Sequence, residues 1–307
     1  MTDQGLISIS LNQREFYDSI QKPSVSGNFV GSEASVVDSY SRPRIFATPS
    51  HFFRNLRQNR NLLKNMIARD FKNTYHGHFL GYIWSLLEPL AFTGIFVLVL
   101  LILRNEPDNL MPLRIMLGIL IYTAFSKTVS ASTVSLTRNS ALIQQIYFPR
   151  EVLISSIAGF QMIKLVLSLF IVVPYMVYVS LYPSYYIFLL PVSGICAILL
   201  GNGLGMIFAI IHVRLRDLEQ IITLMIRLGF YLSGVFFSAE LIPKEYIPAY
   251  FLNPVAVYIE MSRTAITGEI GVLNSTYVLQ AVISSLLVYL LGMIVFKRFE
   301  RKAVLYL

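Results

Sequence analysis

The chain has 307 residues, of which 55% are hydrophobic and 14% are charged, and its formal net charge is +8. Its mean hydropathy of +0.62 and its long runs that are apolar on all sides exclude an ordinary soluble domain, whose helices would have one polar face. The positive charges gather beside the apolar runs, which indicates contact with anionic lipid rather than with nucleic acid.

Residues 1–48 are polar, rich in Ser, Asn and Gln, and carry scattered charges of both signs. Such a segment offers little apolar surface to offset the entropy that it would lose on ordering. The composition therefore predicts a mobile cytoplasmic extension ahead of the membrane domain.

Residues 49–78 place apolar side chains at near-helical spacing and cations between them. The cations of this segment include Arg54, Arg57, Arg60 and Lys64. The pattern predicts an amphipathic helix in the membrane interface, with its apolar face toward the bilayer and its cations near lipid phosphates. An ordinary basic linker is the alternative.

Residues 79–302 contain six apolar runs, each long enough for a helix that crosses a hydrocarbon core of roughly 30 Å. The sequence therefore predicts an all-α integral membrane protein with six transmembrane helices, followed by a cytoplasmic tail at 303–307. The predicted spans lie near 83–103, 113–136, 151–179, 186–211, 221–239 and 275–296.

The distribution of Lys and Arg predicts the orientation. With the amino terminus in the cytoplasm, ten cations precede the first span and eight more fall on the cytoplasmic side. The outer side receives four, which are Arg104, Arg114, Lys244 and Arg263. Because cytoplasmic loops carry the excess of Lys and Arg, we predict that both termini are cytoplasmic.

Residues 240–274, on the predicted outer side, contain several prolines and short apolar stretches such as Val255 to Met261. These stretches are too short to span a bilayer but apolar enough to enter its outer leaflet. We predict short external re-entrant helices before the last span. An amphipathic external loop is a nearly equal alternative.

The second predicted span carries a row of hydroxyl side chains. Ser126, Ser130 and Thr133 share one helical face, and Lys127 lies beside them. One interpretation is a polar wall that lines a conduit for a hydrophilic substrate. The other is that small hydroxyl residues allow close helix packing. Lys127 favours the conduit, because an ammonium inside a membrane is costly unless it faces water or snorkels.

The fifth predicted span suggests a similar face. Arg227 and Tyr231 lie on one side of it, and aromatic residues including Phe237 crowd its outer half. Such a face suits a glycan, although aromatic residues near a membrane end are more often interface anchors. In the fourth span, the glycines of 201–205 are at a spacing that predicts close helix packing.

Two further residues mark the start of the first span. Trp84 is placed as an interface anchor would be, and Glu88 follows one turn later, just before Pro89. Glu88 is a candidate for a salt bridge with an interfacial cation or for a substrate contact, and a packing role is at least as plausible.

The cytoplasmic gap between the second and third spans has a short apolar face that ends near Pro149. A cytoplasmic loop of this kind either meets another protein or packs beneath its own bundle. We predict a docking helix for a soluble partner, with the contact residues Leu142, Ile143, Ile146, Tyr147, Phe148 and Arg150.

Several catalytic motifs are missing from the sequence. It contains no G-x-x-x-x-G-K-[ST], G-x-S-x-G or H-E-x-x-H motif, which argues against a nucleotide-binding loop or a hydrolase site in this chain. His76 and His78 stand too close for one helical face and have no carboxylate partner, so we expect no metal site. The lone Cys196 cannot form an internal disulfide.

Short segments in order across residues 50–302 resemble a known family. They are Arg69-Asp-Phe-Lys72, Leu80 to Leu90, Ile146-Tyr-Phe-Pro-Arg150, Val213 to Glu219, Leu252 to Arg263 and Phe296 to Glu300. Together they resemble the permease subunits of type-2 ABC exporters for polysaccharides such as O-antigen, capsule and teichoic acid. Residues 1–48 have no counterpart in this resemblance.

The resemblance implies a half-transporter in the cytoplasmic membrane. Two copies of the chain would form a channel and pair with two soluble ATP-binding subunits. Residues 138–150 would be the coupling helix, and ATP and Mg²⁺ would bind the partner, with no cofactor in this chain. The cargo implied is a lipid-linked glycan that moves outward.

Three other functions are alternatives to polysaccharide export. The nearest has the same architecture but exports a small drug or lipid. A membrane-embedded transferase of lipid-linked sugars would need paired acidic residues at a membrane face, and no D-x-D motif occurs. A proton- or sodium-coupled carrier would need carboxylates in mid-membrane, which the sequence does not predict.

Overall fold

The computed structural model describes residues 48–75, 81–104, 109–145, 148–182 and 184–307. Throughout these residues the regular structure is helical, and none of them forms a strand. The predicted all-α class is confirmed. The predicted extension at 1–48 lies almost wholly outside the described residues and stays a prediction.

The helices follow the apolar runs of the sequence. Two come before the first predicted span, α1 (Thr48–Gln58) and α2 (Arg60–Tyr75). The others are α3 (Trp84–Arg104), α4 (Met111–Thr133), α5 (Ser135–Arg138), α6 (Ser140–Gln145), α7 (Glu151–Leu169), α8 (Val172–Tyr178), α9 (Leu189–His212), α10 (Leu218–Leu232), α11 (Ile247–Tyr250), α12 (Pro254–Thr267) and α13 (Ser275–Val304). Short 3₁₀ turns cover Gly81–Ile83, Tyr185–Phe188, Ala239–Leu241 and Lys244–Tyr246.

Within the described residues, five helical stretches are long and apolar enough to cross a membrane. They are Trp84–Ile102, Met111–Thr133, Glu151–Tyr178, Tyr185–His212 and Ser275–Val304. These stretches correspond to five of the six predicted spans, so the chain is a multi-pass membrane protein.

The predicted fifth span at 221–239 extends beyond its helix. Helix α10 has 15 residues and reaches about 22 Å, less than the roughly 30 Å of a hydrocarbon core. It stops after Leu232 because Gly234 adopts a left-handed conformation with φ of +69°, a common way to end a helix. The helix therefore ends before the predicted span limit at 239, and this helix alone does not establish a sixth span.

Two other spans differ from their predicted form. The third is divided into α7 and α8 at Phe170 and Ile171, because Pro174 offers no N–H and its ring crowds the carbonyl one turn earlier. The last helix runs to Val304, well past the predicted end at 296, so the predicted tail begins inside α13.

Helices α4 and α9 form the centre of the bundle, and most of their side chains are buried. Helix α9 crosses α13 at very close range. A Cβ added to Gly203 would lie 2.7 Å from the Cα of Tyr289. The glycine spacing in the fourth span therefore serves helix packing, as predicted.

One polar side chain occupies this centre. Asn202 is fully buried, and its Nδ2 donates hydrogen bonds to Ser132 Oγ at 3.2 Å and to the carbonyl of Ile154 at 3.0 Å. The amide thus joins α9 to α4 and α7. Its position explains why a polar residue stands between two packing glycines.

The amphipathic segment before the first span forms α1 and α2, but much of its apolar face packs on protein. Phe52 is fully buried and Met66 is 5% exposed, both in a cluster with residues of α7, α9 and α13. Part of the apolar face that was predicted to lie toward the bilayer is therefore covered by the bundle itself, and the interfacial position of these helices stays a prediction. The four predicted interface cations, Arg54, Arg57, Arg60 and Lys64, are exposed.

The segment predicted as external and re-entrant folds into the bundle. Its main element is α12, which begins at Asn253, whose side chain accepts a hydrogen bond from the amide of Val255 at 3.0 Å. Every residue from Val255 to Ile266 is buried. With 14 residues, α12 is too short to cross a bilayer, and its depth in the membrane stays a prediction.

Candidate transport pathway and docking surface

The hydroxyl row of the second span lies mostly on an open face of α4. Ser126 and Ser130 are half-buried and Lys127 is exposed, so these three residues can meet water or a substrate. Thr133 differs. It is 1% exposed, and its hydroxyl donates to the carbonyl of Val129 at 2.8 Å, so Thr133 packs inside the chain.

Helix α10 lies directly beside this face. The Tyr122 hydroxyl donates to the carbonyl of Ile226, and the rings of Tyr122 and Phe230 lie 5.1 Å apart. The contact shows that α10 packs on α4 one turn before Ser126. Arg227, next to Ile226 in the chain, is exposed on α10.

The aromatic residues predicted to contact a glycan fall into two groups. Tyr231 is 61% exposed and lies beside Phe230 and Phe236, at ring distances of 5.7 and 5.8 Å. Phe237 lies beyond the end of α10, and its ring is 6.1 Å from that of Tyr250. Tyr231 therefore belongs to the exposed face of α10, whereas Phe237 belongs to the segment that follows it.

Glu88 is paired, but not with a cation of the interface helices. Its Oε2 lies 3.9 Å from the Nζ of Lys164 in α7. Trp84, at the start of α3, is about half exposed, as an interface anchor requires. The sequence did not identify Lys164 as the partner, because the two residues are 76 positions apart.

A buried arginine fastens the end of the bundle where α4 begins, and sequence reasoning missed it. Arg263 of α12 is 4% exposed and forms an ion pair with Glu260 at 2.8 Å. Its other N–H groups donate to four carbonyls at 2.8 to 3.1 Å, those of Arg114, Gly234, Val235 and Phe237. We call this group the Arg263 clamp.

The Arg263 clamp holds three parts of the chain together: the start of α4, the turn after α10, and α12. Glu260 adds a contact of its own, since its Oε1 accepts a hydrogen bond from the amide of Ala239 at 2.9 Å. A Glu and an Arg three positions apart inside an apolar stretch were the available sequence signal. The charge count had placed Arg263 in an external loop.

The predicted docking segment presents a different face from the one expected. Ile143 is 7% exposed, and Leu142 and Phe148 are half-buried against the same cluster that covers Phe52. These apolar residues pack beneath their own bundle, which was the alternative. Arg150 is half-buried, and Ile146 and Tyr147 lie outside the described residues. The exposed side chains of the described part are Arg138, Ala141, Gln144 and Gln145.

A buried ion cluster lies immediately after this segment. Glu151, the first residue of α7, is 0% exposed, and its Oε1 accepts from Asn55 Nδ2 at 2.6 Å and from Lys297 Nζ at 3.0 Å. Lys297 also pairs with Glu300 at 3.0 Å. We call Glu151, Asn55, Lys297 and Glu300 the Glu151 cluster. It ties α1, α7 and α13 together at the end of the bundle that carries the docking segment. Sequence reasoning saw these residues only as cytoplasmic charges.

Groups of three or more metal-ligating side chains do not occur among the described residues. The described residues contain three features that could serve a function. These are the open polar face of α4, the docking segment beside the buried ion cluster of Glu151, and the Arg263 clamp at the opposite end of the bundle.

A comparison with protein-family models matches residues 61–267 to the family described as "ABC-2 type transporter". The match covers about two thirds of the chain and includes the open face, the docking segment and α12. The chain belongs to the ABC-2 type transporter family. This membership confirms the resemblance found in the sequence.

Curated relatives of this ABC-2 family chain carry the same kind of description. It is 25% identical over 241 residues to the O-antigen export system permease protein RfbA of Klebsiella pneumoniae, covering 78% of this chain and 92% of that protein. It is 27% identical over 192 residues to the Myxococcus xanthus protein of the same name, with 62% and 74% covered. It is 23% identical over 209 residues to the polysialic acid transport protein KpsM of Escherichia coli, with 66% and 79% covered.

The membership and these names confirm that the ABC-2 family chain is a permease subunit rather than an enzyme. They do not assign roles to individual residues. The channel, docking and interface residues named above therefore remain predictions about an established kind of protein.

Proposed function

We propose that this chain is the membrane subunit of an ATP-driven exporter that moves a lipid-linked polysaccharide out across the cytoplasmic membrane. The observation that carries the proposal is the contact between α4 and α10, two neighbouring helices that present hydroxyl, cationic and aromatic side chains outside the core in a chain of this family. A polar face of this kind suits a hydrated glycan better than an apolar drug. The relatives named for O-antigen and polysialic acid support the same substrate class.

Two copies of the chain would complete the channel. Helix α10 is the main support, because Ile222 is its one buried side chain and apolar residues such as Leu224 and Leu228 are exposed. Arg227 is exposed on the same helix, and an arginine that faced only lipid would be costly. A second copy against α10 would cover the apolar positions and leave Arg227, Lys127 and Tyr231 toward a shared aqueous path.

The proposed topology has six crossings and cytoplasmic termini. Helix α10 and the turn that follows it would make the fifth crossing together, and α12 would enter the outer leaflet without spanning it. Two features support this arrangement: the burial of α12 and the excess of Lys and Arg on the predicted cytoplasmic side. The Arg263 clamp would then face outward.

Two copies of a soluble ATPase would bind at the docking segment, residues 138–150. Its exposed positions Ala141, Gln144 and Gln145 offer a small, polar contact surface, and the buried Ile143 holds that surface against the bundle. The Glu151 cluster at the end of the segment would transmit force to α1 and α13. ATP and Mg²⁺ would bind the partner, and no cofactor is proposed for this chain.

A single substitution tests the docking role. Ala141→Arg places a long cation on the exposed side of α6 without touching the buried Ile143. We expect it to abolish co-purification of the ATPase and surface polysaccharide, while the permease stays inserted at normal abundance. Ser275→Arg, at the far end of the bundle, is the matched control and should leave the pairing with the ATPase unchanged.

A depletion experiment tests the substrate. Loss of the chain should cause lipid-linked polymer to accumulate on the cytoplasmic side, because synthesis continues while export stops. Full surface polysaccharide after complete depletion would exclude the export role. Retained ATPase binding by Ala141→Arg would exclude only the docking surface.

A further inference from the structure

Two charged side chains from different spans meet beside the start of α3. The Nζ of Lys164 in α7 lies 3.9 Å from the Oε2 of Glu88 in α3, which is too far for a hydrogen bond. The Glu88 side chain is 43% exposed and the Lys164 side chain is 19% exposed, so the pair is open on one side. The ammonium can therefore take a further anionic partner or water.

A cavity of about 580 Å³ opens next to this group. Trp84, Leu87 and Phe92 supply apolar wall, while Glu88 and Lys164 supply the charge at its edge. Apolar walls with a few converging polar groups are the usual form of a ligand site. The combination of apolar surface and positive charge matches an amphiphile with an anionic head and a hydrocarbon chain.

Helix lengths place Lys164 near one membrane boundary. The stretch Glu151–Tyr178 has 28 residues, so it is about 42 Å long and exceeds a hydrocarbon core by about 12 Å. The Glu151 cluster, with its buried charges, identifies the end that projects. Lys164 lies 13 residues further, roughly 20 Å along the helix and so about 8 Å inside the core. A lysine can snorkel over that distance to reach lipid head groups.

We propose that Lys164 binds the phosphate of a lipid head group whose hydrocarbon chain occupies this cavity. Glu88 competes with that phosphate for Lys164. The ligand chemistry is a phosphate-headed lipid, supplied by anionic phospholipid or by the pyrophosphate carrier of the exported polymer. The second source rests on the proposed function, whereas phosphate binding by Lys164 does not.

Trp84 gives this site its own reporter, because it is the chain's one tryptophan and lines the cavity. The complex of the permease with its ATPase is reconstituted in phosphatidylcholine nanodiscs, and brominated phosphatidylglycerol is titrated in. Bromine quenches nearby tryptophan fluorescence. The same titration of the complex that carries Trp84→Phe measures the quenching of tryptophans in the ATPase, and this signal is subtracted.

The proposal predicts opposite shifts for two neutralising variants. The wild type should prefer phosphatidylglycerol to brominated phosphatidylcholine by about five- to tenfold at this site. Lys164→Gln should remove most of that preference. Glu88→Gln should increase it by about fivefold, because the competing carboxylate is gone. Lys302→Gln, which removes an exposed cation near the end of α13, should leave the preference unchanged.

The sign of the Glu88→Gln effect separates ligand binding from a structural ion pair. If the pair only holds α3 to α7, both variants weaken the site, and equal losses or no change would overturn the proposal. Polyprenyl pyrophosphate added as a competitor identifies the source: relief of quenching indicates the carrier, and persistent quenching indicates phospholipid. Polysaccharide export in cells is measured in a separate experiment. A failure of the proposed function can therefore be distinguished from a failure of lipid binding at this site.

Discussion

Arg263→Met removes the guanidinium that fastens three parts of the chain, while keeping much of the side chain's apolar length. The four carbonyls of Arg114, Gly234, Val235 and Phe237 lose their donor, and Glu260 stays buried without its counter-ion. Removing one partner of a buried ion pair costs about 3–5 kcal/mol. We expect the thermal midpoint of the purified permease to fall by about 10 °C, given about 2–4 °C per kcal/mol for a chain of this size.

The assay is thermal unfolding in detergent, followed by the loss of monodisperse protein on heating. Arg114→Met is the matched control, because Arg114 forms a surface ion pair with Glu269, whose side chain is 56% exposed. Surface pairs contribute about 0–1 kcal/mol, so the control should shift the midpoint by no more than about 4 °C.

A second variant tests the charge argument itself. Arg263→Met combined with Glu260→Gln removes the orphaned carboxylate but keeps a carbonyl that can accept from the amide of Ala239. The double variant should therefore be more stable than Arg263→Met alone. A single variant as stable as Arg114→Met, or a double variant that is less stable than the single one, would refute the interpretation of Arg263 as a clamp.

Two further substitutions test packing and the buried ion cluster. Gly203→Ala should destabilise the permease by about 1–3 kcal/mol, since its Cβ would meet the backbone of Tyr289, and thermal unfolding measures the loss. Gly94→Ala, in the open part of α3, should be neutral or slightly stabilising; a loss equal to that of Gly203→Ala would contradict the close-packing argument. Glu151→Gln should lower stability by about 1–3 kcal/mol and uncouple ATP hydrolysis from export, because the neutral amide keeps one acceptor oxygen but removes the carboxylate charge that pairs with Lys297. Normal export per ATP hydrolysed would argue against a coupling role.

The sequence predicted the helical class, five spans and the glycine packing because each depends on local composition. A run of about 20 apolar residues is sufficient to predict a membrane helix, whatever its neighbours are. The spacing around Gly203 likewise predicts a close helix contact without naming the partner helix. Helix ends were less predictable. Gly234 stopped α10 early, and its left-handed conformation could have been anticipated from the Ser-Gly pair.

The errors about which surface covers a side chain share one physical cause, which is tertiary burial. An amphipathic pattern predicts an apolar face but does not say whether lipid or protein covers it. For Phe52 and Ile143 the cover is the chain's own bundle. The same limit applies to charges: Arg263 counted as an external cation, yet four carbonyls and Glu260 enclose it.

Partners distant in sequence were beyond prediction for a related reason. Glu88 and Lys164, or Glu151 and Lys297, meet only because particular helices pack side by side. A single sequence does not contain that pairing information. The open face of α4 was partly predictable, since Ser126 and Ser130 follow helical spacing, but the sequence does not show that α10 packs beside it through the contact of Tyr122 with Ile226.

The most direct test of the account is transport by the purified permease in sealed vesicles, with and without its ATPase. The measured quantity is the lipid-linked polysaccharide that becomes accessible on the far side of the membrane. With the ATPase and ATP, the glycan should cross against its gradient; without the ATPase, none should. Uphill movement by the permease alone would contradict the claim that this chain provides only the passage.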